Sequence, residues 1–412
     1  MPDWADAWRA GLTAALASLP PEALAATAGA AVAGTSASVL LVDAGGDWRV
    51  PLAPARLYSD GASPAAVALL RGLAKGGHTA AAPTASAAKA VDWWLAGEEG
   101  PPSSPLAAAL AAASAPTVAS AADWIAALLA GDASRLAFTD DNNALKAGWD
   151  PAGAGRYEPW LAAHPVSAWL PPTVVRPGGA TVRVSAAAPS SLLPAGCLVT
   201  GGTTDSIAAY VAALGPDPPA VPTAVTSLGS TLALKLASPV RIDDPAAGVY
   251  SHRLGNDWLV GGASNVGCAA LADFFSPAQL GALSAAIDPS LPSRTDFYPL
   301  PAGLVGERFP VPDPAATARV SPRPSDDAAF LAGLLEGIAR VEAAGYARLA
   351  ALGAPSPARV LTAGGGGMNS VWAAIRARVM GLREGDVGPA LNGEAAYGAA
   401  LLARAGVREE AG

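Results

Sequence analysis

Three glycine-rich turns, each entered from an apolar, strand-like run, constrain the fold of this chain more than any other feature. They read LVTGGTTD at 198–205, VTSLGSTLALKL at 225–236 and VLTAGGGGMNS at 360–370. The first and third run into helical segments and the second lies between two strand-like runs, so the expected fold class is α/β. A strand that ends in a glycine turn and a helix start presents unpaired N–H groups to an anion. A strand, Gly-Ser-Thr and strand hairpin forms a small nest with hydroxyl donors. Taken singly, each turn is served as well by a plain structural reading, since glycine suits any positive φ or close backbone approach. Together the three suit a phosphorylated ligand. None is a familiar phosphate motif: Asn369 stands where GxGxxG needs its third glycine, and no GK[ST] occurs, which excludes Rossmann and P-loop readings.

Asp205 closes the first turn. An aspartate ahead of a helix caps free N–H groups, worth roughly 1 kcal/mol, although Thr203 and Thr204 could cap equally well. A carboxylate beside an anion-binding loop has a second use, to deprotonate a hydroxyl that receives a phosphoryl group. The residues alone leave both readings open.

Charge decides which partners fit. With 34 acidic and 26 basic side chains, a formal charge of −8 and no long basic cluster, the electrostatic footprint of nucleic-acid binding is missing. A phosphate must then be held by backbone N–H groups. Cys197 and Cys268 are isolated and only three histidines occur, so neither a disulfide framework nor a zinc site is expected, and a reducing compartment fits. The start MPDWADAW is acidic where a signal peptide is basic. The stretch 103–131 holds Ser103, Pro116, Thr117 and Asp123, against a spanning helix. A soluble protein without membrane contact is expected.

At 412 residues the chain exceeds one ordinary core, and two domains are expected, 1–218 and 219–412, with GPDPPAVP (215–222) at the boundary. Residues 4–18 read as a helix ended by Pro20-Pro21. Residues 29–42 read as strand, Gly-Thr-Ser turn, strand, followed by a hairpin turn at 43–47. From 63 to 129 the pattern is helical, divided by Pro101-Pro102 and Pro105, with 100–120 expected as a solvated connection. Trp93, Trp94 and Trp124 are expected in the core.

GTTDSIAAY, SLGSTLALKLAS, GVYSHRLGNDWLVGGASNVG, GERFPVPDP, TAGGGGMNSVWAAIRARVMG and EAAYGAALLA, in this order, resemble the FGGY family of carbohydrate kinases, as do DNNALKAGWDP (141–151) and the Gly34-Thr35-Ser36 turn. The resemblance runs over nearly the whole chain and is nearest to the plant and cyanobacterial branch of D-ribulose and xylulose kinases. It implies a two-domain actin-like ATPase fold of ribonuclease H type, with a sugar-binding first domain, a nucleotide-binding second domain and a central cleft. By position it implies Asp205 as the base on the sugar hydroxyl and Ser36 as a sugar contact. It further implies Ser227, Gly229, Ser230 and Thr231 around the nucleotide's phosphates, and Gly364, Gly365, Gly366 and Asn369 beside adenosine. ATP and Mg2+ are the implied cofactors, with the metal on the triphosphate and no protein metal ligand assigned. The implied substrate is a ketopentose, D-ribulose before D-xylulose, and the expected assembly a monomer or homodimer.

Tyr58 and Asp60 stand where the family often has an aromatic residue near an aspartate, and a turn aspartate serves equally there. Glu307 and Arg308 are expected as a structural ion pair and His252 as a surface or packing residue. Family members open with a strand and hairpin of the form DxGTSxxR. This chain starts at a segment resembling the family's first helix, so a first domain without its opening strands is expected, through an incomplete gene model rather than evolved loss. The alternative expectation is a catalytically silent binding protein that acts as sensor or scaffold. Cytoplasm or, by resemblance to plant relatives, plastid stroma is the expected compartment.

Overall fold

The computed structural model describes residues 3–74, 78–101, 103–152, 155–188 and 190–412. Met1, Pro2 and Pro102, which figure in the sequence reading, lie outside them. The chain divides into two compact units, one of Met1–Ala209 with Ala395–Gly412, the other of Tyr210–Glu394. This division differs from the expected boundary at 218/219. The helix Asp205–Leu214 carries the chain across it, and the last helix, Ala395–Ala411, returns to the first unit. Close packing explains the return: Gly398 lies so near the Ala208 carbonyl that any side chain there would overlap it.

In the first unit, Val39–Asp43 pairs antiparallel with Pro116–Ser120. Its residues alternate between two cores, Val39 and Leu41 packing with Val91 and Trp93, and Leu40 and Val42 packing with Trp48 and Trp124. Successive strand side chains point to opposite faces, so burial on both faces produces the run VLLV rather than an apolar and polar alternation. The segment 100–120 is therefore not a solvated connection. It holds the helix Pro105–Ala112 and a strand whose Val118 and Ala119 are buried. Asp43–Asp47 is a turn, after which the chain runs back beside its own strand, with Leu52 N donating to Leu41 O and Arg56 pairing with Val39.

Two short parallel pairings set up the first unit's site. Gly29–Ala30 lies beside Leu198–Thr200, which pairs antiparallel with Ala180–Arg183, and Ala33–Gly34 lies beside Thr203–Thr204. The Gly34-Thr35-Ser36 turn and the start of the Asp205 helix thus leave neighbouring parallel strands at the same end, where ligands of open α/β sheets commonly bind.

The second unit is built on a six-stranded sheet in the order Tyr250–Leu254, Asp257–Ser264, Leu232–Ser238, Thr223–Leu228, Arg359–Ala363, Val387–Pro389. The first four strands pair antiparallel and the last three parallel. Leu232, Leu234 and Leu236 point to one face, where they meet Phe330, Leu334 and Ile338 of the 25-residue helix Asp327–Ala351. Asp326 starts this helix, its carboxylate accepting from Ala329 N at 3.0 Å. No helix of the described residues is long and apolar enough to cross a membrane.

Candidate functional site

In the first unit Asp205 is the first residue of its helix and exposed, while Thr203 and Thr204 just before it are buried. Its Oδ1 lies 2.5 Å from Ser206 N, so the carboxylate also meets the helix start, where the free N–H groups favour negative charge. Lys146 answers it from the DNNALK segment: burial lowers the lysine's pKa, and the Asp205 charge opposes that shift. Lys146 was missed in the sequence because a lysine after a short helix reads as a solvated end.

The neighbouring polar groups are satisfied unevenly. Asn142 Nδ2 donates to Thr203 Oγ1 at 3.0 Å. The Asp140 carboxylate caps the helix Asp141–Leu145, accepting from the backbone N–H groups of Asn142 and Asn143 and from Asn143 Nδ2 at 2.7 Å. Burial, with the Asp123 charge, pushes Asp140 up to about 7. By contrast, the buried side-chain oxygens of Ser36 and Thr204, and Oδ1 of both Asn142 and Asn143, have no hydrogen-bond partner among the described residues. Behind the Ser36 turn the buried Lys89 donates to Leu57 O at 2.5 Å, which ties the turn to the LYSD segment. In that segment Asp60 accepts from Leu57 N at 2.7 Å, the bond of a turn aspartate, and Tyr58 is exposed.

The second unit brings two of the glycine turns together. Thr223–Leu228 and Arg359–Ala363 are parallel neighbours, and their turns leave at the same edge. Ser227, Ser230 and Thr231 are exposed around Gly229, whose N–H donates to Thr231 O at 3.2 Å. Gly364 has φ +87°, and a Cβ there would fall 2.7 Å from Leu228 O, so only glycine lets the second turn pack on the first.

Beside the turns opens a cavity of about 650 Å3. Gly229, Gly365, Gly366 and Asn369 reach its wall, and Leu271, Leu280 and Leu335 make much of the rest apolar. That combination suits a flat heteroaromatic ring on apolar walls with phosphates near glycine N–H groups. Asn369 also has structural work: Oδ1 accepts from Trp372 N at 3.0 Å as a helix cap, and Nδ2 donates to Ser284 Oγ at 2.8 Å.

Residues 227–406 match the FGGY family of carbohydrate kinases, C-terminal domain. This part of the chain is similar to the C-terminal domain of those kinases. The enzyme class follows, a phosphotransferase with an alcohol acceptor. Solved structures extend the likeness to nearly the whole chain. A xylulose kinase from Rhodospirillum rubrum is similar with 25% identity and TM-score 0.65, covering 92% of this chain and 75% of that one. A xyloylose kinase from Brucella ovis is similar with 24% identity and TM-score 0.70, covering 97% and 79%. A glycerol kinase from Plasmodium falciparum, with ADP, shares the fold at 15% identity and TM-score 0.65, covering 92% and 75%. The α/β architecture is that of the two-domain actin-like ATPases.

Two expectations in the second unit change or gain detail. Glu307 does not pair with Arg308 through its guanidinium among the described residues. Its buried carboxylate accepts from Ser264 Oγ, Asn265 N, Tyr298 OH and the Arg308 backbone N–H, which knots the GERFP loop to the sheet. A side chain so supplied with donors needs no cation. His252 packs against Tyr250, ring centres 5.1 Å apart.

Proposed function

We propose that the chain is an ATP-dependent kinase of a ketopentose, D-ribulose before D-xylulose, with Asp205 as general base. The observation that carries this reading is the placement of Asp205: an exposed carboxylate at the end of a parallel strand pair whose other strand runs into the Ser36 turn. The sugar belongs to the first unit. Ser36, Asn142, Asn143 and Thr204 keep buried oxygens without partners among the described residues, and a polyol supplies hydroxyls for groups of that kind. Asp205 takes the proton from the attacking primary hydroxyl, and Lys146 balances its charge.

The nucleotide belongs to the second unit. Ser227, Gly229, Ser230 and Thr231 hold its phosphates, and Gly364, Gly365, Gly366 and Asn369 border the adenosine in the apolar cavity. The residues fit ATP, since side chains in place of Gly364 or Gly366 would meet Leu228. Among the described residues no cluster of three or more His, Cys, Asp or Glu side chains could hold a metal. Mg2+ bound with the triphosphate would neutralise charge on the transferring group.

ADP release with D-ribulose and with D-xylulose, compared between the unmodified chain and Asp205→Asn, tests the assignment. A loss of about 100-fold or more is expected on removing a general base. Equal turnover in the two would sink the role of Asp205, and nucleotide binding without turnover on either sugar would favour a silent binding protein.

A further inference from the structure

Directly behind the glycine turns of the second unit lies a buried polar ring that the phosphate and adenosine contacts do not use. Thr226 and Thr362 face each other in the parallel register, one position before Ser227 and two before Gly364. Thr226 Oγ1 donates to Glu342 Oε1 at 2.5 Å and shares a 2.7 Å hydrogen bond with the Tyr346 hydroxyl. Thr362 Oγ1 accepts from Arg376 Nη1 at 2.6 Å. Glu342 and Arg376 close the ring in a forked pair, Nε to Oε2 and Nη2 to Oε1, both at 2.6 Å. Both charged side chains are 1% exposed.

Such a ring is a poor device for stability alone, because well-packed apolar residues commonly replace a buried ion pair without loss. Its geometry is specific instead. One carboxylate and one guanidinium, carried on the helices Asp327–Ala351 and Ser370–Met380, each grip a hydroxyl from one of two adjacent strands. Strand alternation turns Thr226 toward the helices and leaves Ser227 exposed. The ring thus fixes the level at which both strands stop and both turns begin.

We propose that Thr226, Thr362, Glu342 and Arg376 are positioning residues for nucleotide binding, holding the 229–231 and 364–366 turns in the one mutual register that lets both meet the same nucleotide. The proposal rests on the nucleotide reading of the second unit, and binding rather than turnover tests it. MgATP is titrated calorimetrically into the unmodified chain, Thr226→Val, Thr362→Val, Thr226→Ser and Thr362→Ser, with D-ribulose titrated in parallel and thermal midpoints recorded. The valine variants are expected to bind MgATP about tenfold more weakly, as for loss of one buried hydrogen bond's worth of alignment, with D-ribulose affinity within about twofold. The serine variants, which keep the hydroxyl, are expected to restore binding. A fall in thermal midpoint with MgATP affinity unchanged in the valine variants would overturn the proposal and leave the ring purely structural. An unmodified chain that binds no MgATP would overturn the nucleotide reading itself, and the proposal with it.

Discussion

The Lys89 ammonium lies 2.7 Å from the carbonyl oxygen of Ala37, a residue held at φ +65° directly after the Gly-Thr-Ser turn. A left-handed alanine is strained, by roughly 1–2 kcal/mol. Its conformation persists because a fully buried cation grips the carbonyl it presents, together with that of Leu57. Burial, assisted by the nearby Arg56 charge, brings Lys89 down to about 8. Lys89→Met leaves two carbonyls short of a donor and is expected to destabilise the protein by about 2 kcal/mol at pH 7, read as a lower urea midpoint with an unchanged slope. Ala37→Gly, which relaxes the strain at some entropic expense, is expected to change stability by less than about 1 kcal/mol.

Gly364→Ala sets a side chain at a positive φ and against Leu228 O. The expected loss is about 1–3 kcal/mol of stability, together with weaker nucleotide binding, as one turn is pushed off the other. Binding titrations at a temperature where the variant is fully folded separate the two effects. Unaltered MgATP affinity in a folded variant would count against a shared nucleotide site.

Asp140 gives the first unit a pH dependence of definite sign. Its folded-state pKa, about 7, lies above the ordinary value of 3.8, so between these limits the folded form binds more protons than the unfolded one. This contribution is fully present below pH 4 and is lost as pH rises through 7. Asp140→Asn keeps much of the shape and removes the titration. Chemical denaturation between pH 4.5 and 8 is expected to show a shallower fall of stability with pH in the variant, by up to about 1 kcal/mol per pH unit. Identical slopes would refute the assignment.

Gly398 and Gly72 form a contrast within one experiment. A Cβ on Gly398 would overlap Ala208 O, whereas one on Gly72, in the helix Pro64–Leu73, meets nothing within 4 Å. Gly398→Ala is expected to destabilise by about 1–3 kcal/mol through overpacking. Gly72→Ala is expected to stabilise by about 0.5–1 kcal/mol through helix propensity. Thermal midpoints that move in opposite directions check both.

The glycine turns were legible in the sequence because their demands are local: Gly364 needs a positive φ, and Ser227 to Thr231 need a hairpin, wherever the rest of the chain goes. Asp205 could be read as cap or base, and its exposure at the helix start is compatible with both, so the structure narrows its role less than its company does. The strand Pro116–Ser120 was hidden because its two strand-favouring residues, Thr117 and Val118, stand in an Ala-, Ser- and Pro-rich stretch. It is a strand only through its pairing with Val39–Asp43. Lys89, Glu342 and Arg376 were hidden for the opposite reason, since charged residues within helices look solvated until a distant carbonyl or counter-charge arrives to bury them. The Glu307 knot was misread as an ion pair because sequence shows the neighbouring arginine and not the Ser264 and Tyr298 donors.

The return of Ala395–Ala411 to the first unit dictates an order of assembly during synthesis. Residues 210–394 form one uninterrupted segment, and they can collapse on themselves as they leave the ribosome. The first unit, although begun earlier, waits for the final helix, and until then the surface at Gly29 that Val407 will cover stays bare. The part made first is finished last, so a chain that stops between residues 210 and 395 leaves that surface without its covering helix.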